Sequence, residues 1–130
     1  ARRGAPPWLK RLARSARGVE FLGPVDDAEP LYRRARVFVE ATRSGGGTKL
    51  KVLNAMARGL PVAATPQAIE GIDAIPGVHV LTGGDADALA KAAVRLMTDG
   101  AIWRTLNEGG RLLVGSSTQQ MPRTAPWTKP

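Results

Sequence analysis

Apolar positions along this chain switch between helical and strand spacing, and the switches mark its elements. After Pro6-Pro7, whose pre-set backbone angles open a helix, Trp8, Leu9, Leu12 and Ala16 recur at helical spacing until Gly18. Val19-Glu20-Phe21-Leu22 reads as a short strand stopped by Gly23-Pro24. Asp26 or Asp27 is placed to cap the next helix, which carries Leu31, Tyr32 and Ala35 on one face. Val37-Phe38-Val39-Glu40-Ala41 is a second strand, and a glycine-rich stretch follows it. A helix then runs to Ala57 and stops at Arg58-Gly59. Residues Pro61 to Thr65 make a third strand, with a loop from Pro66 to Gly71 at its carboxyl end. Val78-His79-Val80-Leu81 reads as a fourth. Asp85 or Asp87 caps a helix through Met97 with Leu89, Ala93 and Leu96 on its core face. A last helix, about Ile102 to Val114, follows the Asp99-Gly100 break.

Strands alternating with helices at this spacing predict βαβ units, hence an α/β fold with a Rossmann-like parallel sheet flanked by helices. The predicted domain spans residues 1–114. Residues 115–130 lack periodicity and hold three prolines, so they are expected to form a flexible tail. In parallel sheets ligands bind beyond the carboxyl ends of the strands. The glycine-rich stretch and the 65–71 loop both fall at that edge.

The stretch Arg43-Ser44-Gly45-Gly46-Gly47-Thr48-Lys49-Leu50-Lys51 sits where the second strand turns into a helix. Glycines allow close backbone approach, the first N–H groups of a helix have no internal partner, and the helix dipole favours negative charge there. A phosphate or diphosphate is the expected guest. Gly47, Lys51 and Asn54 fall at i, i+4 and i+7 on one face, while Leu50, Leu53 and Ala57 form the face predicted to pack on the sheet. The N–H groups of Gly46 to Lys49 are placed to hold a phosphate, Lys51 to neutralise it, and Asn54 to bond a neighbouring hydroxyl. Spacing alone leaves a second reading open, a glycine-rich turn with two solvated lysines. The stretch is not a P-loop, because the Gly-Lys-Ser/Thr ending is absent. Nor is it the dinucleotide fingerprint, because G-x-G-x-x-G is absent and no acidic residue closes the next strand.

Composition narrows the field. One domain is the expectation for 130 residues, and 43% apolar content supports a packed core over disorder. The chain has no Cys, which removes disulfides and thiolate metal sites and fits a reducing, cytoplasmic setting. No metal-ligand constellation is evident and no cofactor is implied. No apolar run reaches the length needed to span a membrane. The chain starts at Ala1 without an initiator Met, which leaves room for a missing N-terminal region. A net charge of +8 admits nucleic acid, an anionic membrane surface or anionic substrates. Much of the excess lies in Arg2, Arg3, Lys10, Arg11, Arg14 and Arg17, and Arg outnumbering Lys amid Ala and Gly resembles coding bias. Interleaved aromatics and zinc spacing are absent, so nucleic-acid binding ranks below a small anionic ligand. His79, the only His, is expected to be structural, and Trp8 and Trp103 to pack. Glu40 either touches the ligand or pairs with Arg43.

The run FLGPVDDAEPLYRRARVFVEATRSGGGTKLKVLNAMARGLPVAATPQAIEGI resembles the donor-binding half of GT-B glycosyltransferases of the retaining family 4 type. The similarity continues through GVHVLTGGDADALAKAAVRLMTD and GRLLV, covering roughly residues 6–114. It implies that the glycine helix binds a nucleotide diphosphate sugar. Gly45, Gly46, Gly47 and Thr48 would hug the sugar and diphosphate, and Arg43, Lys49 and Lys51 would supply positive charge. The backbone near Pro24-Val25 would meet the base, and Glu70 would lie in the family's Glu-Gly loop near the donor. Two positions depart from the pattern. Asn54 stands where the family has a ribose-binding Glu, and Gly46 where many members have another. A neutral amide still bonds a ribose hydroxyl but forgoes charge assistance, worth on the order of 1 kcal/mol.

The resemblance further implies an N-terminal acceptor domain with no counterpart here. Two strands that normally open the donor domain are also absent. Either Val19–Leu22 pairs directly with Val37–Ala41 to close that gap, or the segment stays poorly ordered. The implied function is the donor-binding part of a hexosyl-transferring enzyme, inactive alone, whose parent has room for peripheral membrane contact. A non-catalytic nucleotide- or sugar-binding remnant and a basic nucleic-acid-binding domain are the alternatives.

Overall fold

The computed structural model describes residues 17–43 and 48–115, with Pro7 and Arg11. The helix expected near Trp8, the glycines 45–47 and the 116–130 tail lie outside the described residues. In chain order the elements are α1 (Glu29–Arg34), β1 (Phe38–Glu40), α2 (Thr48–Ala57), β2 (Val62–Ala64), a 3₁₀ turn (Pro66–Ile69), β3 (Leu81–Thr82), α3 (Ala86–Thr98) and α4 (Gly100–Val114).

The strands form a parallel sheet in the order β1-β2-β3, with Phe38 opposite Val62, Glu40 opposite Ala64 and Ala63 opposite Leu81. All three residues of β2 are buried, as a central parallel strand requires when both faces are covered. On one face Val62 and Ala64 pack with Val52, Ala55 and Met56 of α2, and Tyr32 and Phe38 close the side. On the other, Ala63 and Leu81 pack with Leu89, Ala92 and Leu96 of α3. Helix α4 serves both layers, with Leu106 in the second cluster and Leu113 and Val114 against the first. Its buried Trp103 donates its indole N–H to the Arg36 carbonyl at 2.8 Å, which satisfies the one polar atom of that ring. This is a Rossmann-like α/β arrangement, consistent with a GT-B domain and with the fold class expected from the sequence.

The helix starts follow their caps. Asp85 Oδ1 accepts the Ala88 N–H at 2.8 Å and Asp99 Oδ1 accepts the Ala101 N–H at 3.0 Å. Each such cap contributes about 1 kcal/mol. At α1 the cap position is Ala28, yet Asp27 Oδ1 still takes the Glu29 N–H at 3.0 Å.

Four sequence expectations are corrected. Val19–Leu22 is not a strand, and Val19 is 55% exposed. Without a layer to cover it, a four-residue segment with three apolar side chains gains too little burial to offset its ordering entropy. Among the described residues no strand pairs with the outer edge of β1. Val78 and His79 lie in a turn, and the third strand of the sheet begins only at Leu81. That turn docks on α4 through Gly109, where a Cβ would stand only 2.1 Å from the Val78 carbonyl oxygen. His79 is structural, as expected, because its Nδ1 accepts the Ile75 N–H at 2.9 Å.

The α2 face is also rotated from expectation. Leu50 is 66% exposed and Leu53 only half-buried, although Ala57 is buried. Val52, Ala55 and Met56 meet the sheet instead, an equally good helical spacing. Finally, Arg43 and Glu40 do not pair: the Glu40 carboxylate accepts the Thr42 hydroxyl at 2.7 Å.

Candidate functional site

Three loops meet at the carboxyl edge of the sheet. One leaves β1 through Ala41-Thr42-Arg43, one leaves β2 at Thr65, and one leaves β3 through Gly83-Gly84. Thr65 ties the first two together. It is 2% exposed, its hydroxyl donates to the Thr42 carbonyl, and its N–H bonds the Glu40 carbonyl at 3.0 Å. The same hydroxyl oxygen accepts the Ala68 N–H at 3.3 Å and so caps the 3₁₀ turn. The sequence marks Thr65 only as the end of a strand, since both of its bridging partners are set by the fold.

Arg43 is exposed and leans toward the third loop, its Nη1 lying 3.5 Å from the Gly84 carbonyl, at the long limit of a hydrogen bond. There it edges a cavity of about 270 Å³ whose walls include Val39, Ala41, Thr65, Asp85 and Leu89. This cavity lies on the α3 side of the sheet, whereas the glycine helix packs on the other.

Lys49 and Lys51 occupy the first turn of α2 and both are exposed. Neither makes a hydrogen bond or ion pair with any described residue. Lys49 reaches across to the loop after β2, and its Nζ lies against Gly71. The structure thereby joins two features that the sequence separates by more than twenty positions, the glycine helix and the Glu70-Gly71 loop. Glu70 itself is exposed, and its N–H bonds the Gln67 carbonyl at 3.3 Å. Asn54 is half-buried one turn below Lys51. Its carbonyl accepts from Arg58 Nη1 at 2.9 Å, and its side-chain amide has no partner among the described residues.

Pro24 is exposed and Val25 half-buried in irregular chain before α1, and no hydrogen bond joins them to α2. Gly45, Gly46 and Gly47, together with the side chain of Thr48, lie outside what is described. Among the described residues no group of His, Asp and Glu could hold a metal ion, and no helix is long and apolar enough to cross a membrane.

The other end of α2 is closed by charge. Arg58 Nε and Nη2 donate to Glu29 Oε2 at 2.9 and 2.5 Å, and its guanidinium lies 4.5 Å from the centre of the Tyr32 ring. Tyr32 in turn stacks on Phe38 with ring centres 6.1 Å apart. The hydrogen bonds from Arg58 hold the Glu29 carboxyl below its usual value. The charges of Arg58 and Arg33 add to this, against partial burial.

Compared with known proteins, residues 2–99 match the family model described as Glycosyl transferases group 1. No curated protein and no solved structure matches the chain.

Proposed function

The chain belongs to the group 1 glycosyl transferases, and from that premise we propose that its α2 edge binds the diphosphate of a nucleotide diphosphate sugar. The observation that carries this reading is the meeting of the glycine helix with the Glu70-Gly71 loop through Lys49, at the edge where parallel sheets bind ligands. Backbone N–H groups from Gly46 to Lys49 hold the diphosphate, and Lys49, Lys51 and Arg43 neutralise it. Asn54 bonds the ribose, Glu70 lies near the sugar, and Pro24-Val25 meet the base. The chemistry is electrostatic: as the glycosyl group leaves, charge grows on the diphosphate, and the helix mouth and lysines stabilise it. No nucleophile is evident in the sequence. On this reading residues 1–130 supply donor binding, and no turnover of nucleotide sugar is expected from them alone.

Isothermal titration with nucleoside diphosphates tests the reading. Lys51→Ala should weaken binding, whereas Lys91→Ala, an exposed helical lysine on α3, should not. A charge-assisted contact is worth about 1.5–3 kcal/mol, or roughly ten- to a hundredfold in affinity. Equal small effects from both variants would place the anion elsewhere. A steep salt dependence without preference for nucleotides over single-stranded DNA would favour a basic nucleic-acid surface instead.

A further inference from the structure

We propose that Gly71 is a positioning residue for Lys49. A Cβ built on Gly71 would lie 2.6 Å from Lys49 Nζ and 3.4 Å from its Cε, so the ammonium occupies the space a side chain would fill. Gly71 also adopts φ +87°, a left-handed conformation that glycine takes without cost. These two properties act together. The left-handed turn lies where the loop after β2 meets the Lys49 side chain, and the bare Cα leaves room for the end of that side chain.

No hydrogen bond or ion pair from a described residue holds Lys49 there. It makes no ion pair among the described residues, and the Glu70 carboxylate, next along the loop, is not within ion-pairing distance. A lysine ammonium on a flexible four-carbon stem is otherwise free to roam. In this geometry the ammonium rests against Gly71 with no carboxylate partner among the described residues. The ammonium is therefore kept at the carboxyl edge with its donors available to an anion. A methyl group at position 71 would push away the far end of a flexible side chain, not backbone. At φ +87° an added Cβ also strains the loop backbone, and the comparison of single and double variants separates that strain from displacement of the charge.

This inference rests on the reading of α2 as the diphosphate site. Its test separates the two. Nucleoside diphosphate affinity is measured by calorimetry for the unmodified protein, Lys49→Ala, Gly71→Ala and the double variant. Lys49→Ala should lose roughly tenfold or more. Gly71→Ala should lose a comparable factor, and the double variant should be no weaker than Lys49→Ala alone. Gly71→Asn, which tolerates the left-handed backbone while adding a Cβ, should behave as Gly71→Ala does. Thermal melts identify any variant whose fold is lost. Equal losses from Gly71→Ala with and without Lys49 would show that the glycine acts through the loop backbone, and would overturn the proposal.

A ligand-free readout completes the test. A nuclear Overhauser contact between Gly71 Hα and Lys49 Hε should be present in the unmodified protein and absent in Gly71→Asn. Its absence from the unmodified protein would overturn the positioning contact itself. If the contact is present but Lys49→Ala leaves affinity unchanged, the diphosphate reading fails at Lys49, and the functional half of the inference falls with it.

Discussion

The two ends of α2 are built on opposite electrostatic plans. At the carboxyl-terminal end Arg58 is paired: two hydrogen bonds to Glu29, one to the Asn54 carbonyl and a cation–π contact with Tyr32. At the amino-terminal end Lys49 and Lys51 carry charge with no carboxylate partner among the described residues. The closed end is also where a cation suits the helix dipole, while at the open end two cations stand against it. A helix optimised only for stability would not place uncompensated lysines in its first turn. The contrast separates a structural end, which anchors α2 to α1, from an end whose unfavourable charge is useful only when an anion is bound.

Substitutions at either end can break this separation, and the largest effect is expected at the open one. Combining Lys49→Ala with Lys51→Ala should reduce nucleoside diphosphate affinity by roughly a hundredfold or more, since each contact is worth about 1.5–3 kcal/mol. The melting temperature should hold or rise, because removing cations from the first turn relieves the dipole. A fall in stability like that of a core substitution would mean the lysines have a structural role after all.

Arg58→Ala should do the reverse. Calorimetric melting should show a Tm several degrees lower, because Glu29 loses its partner in a half-buried setting. Affinity should change little, since Val52, Ala55 and Met56 still seat α2 on the sheet. A loss of affinity as large as that of Lys51→Ala would erase the distinction between the two ends.

The Glu29–Arg58 pair also predicts a pH dependence. The folded-state pKa of Glu29 is lowered from 4.5, so its contribution is fully present above that value. It is lost as pH falls through the lower folded-state pKa. Denaturant unfolding across the acid range should therefore show a flatter decline for Glu29→Gln than for the unmodified protein. Identical slopes would mean the pair contributes nothing to acid sensitivity.

The smallest expected effect lies between the ends. Asn54→Glu should tighten nucleoside diphosphate binding by on the order of 1 kcal/mol through a charge-assisted bond to the ribose. The gain is limited because the carboxylate also sits near the diphosphate. A 2′,3′-dideoxy analogue should gain nothing. Equal weakening of both ligands would remove Asn54 from the ribose.

Legibility in the sequence follows the range of the interactions involved. A cap at Asp85 or Asp87 is legible because a cap bonds an N–H two or three residues on, and Asp85 makes that bond, whereas Asp99 reads only as a break although it caps α4. The parallel α/β class is readable because strands alternate with helices along the chain, and the fully buried Val62-Ala63-Ala64 shows the central strand covered on both faces. The face of α2 was not, since Leu50-Leu53-Ala57 and Val52-Ala55-Met56 are both acceptable stripes, and only the position of the sheet chooses between them. Val19–Leu22 has strand composition but no partner to realise it. At the site, the glycines and lysines were visible as a motif. The clasp of Thr65 on Thr42 and the contact of Lys49 with Gly71 were not, because each joins positions about twenty residues apart that carry no local signature.

The most direct test of the open end is a backbone amide NMR titration with a nucleoside diphosphate. Shifts should concentrate on Thr48 to Lys51 and on Glu70 and Gly71, while Tyr32 and Arg58 stay still. If instead the largest shifts fall around Arg58, or spread evenly over the basic surface and vanish with modest salt, α2 does not hold a diphosphate at its amino-terminal end.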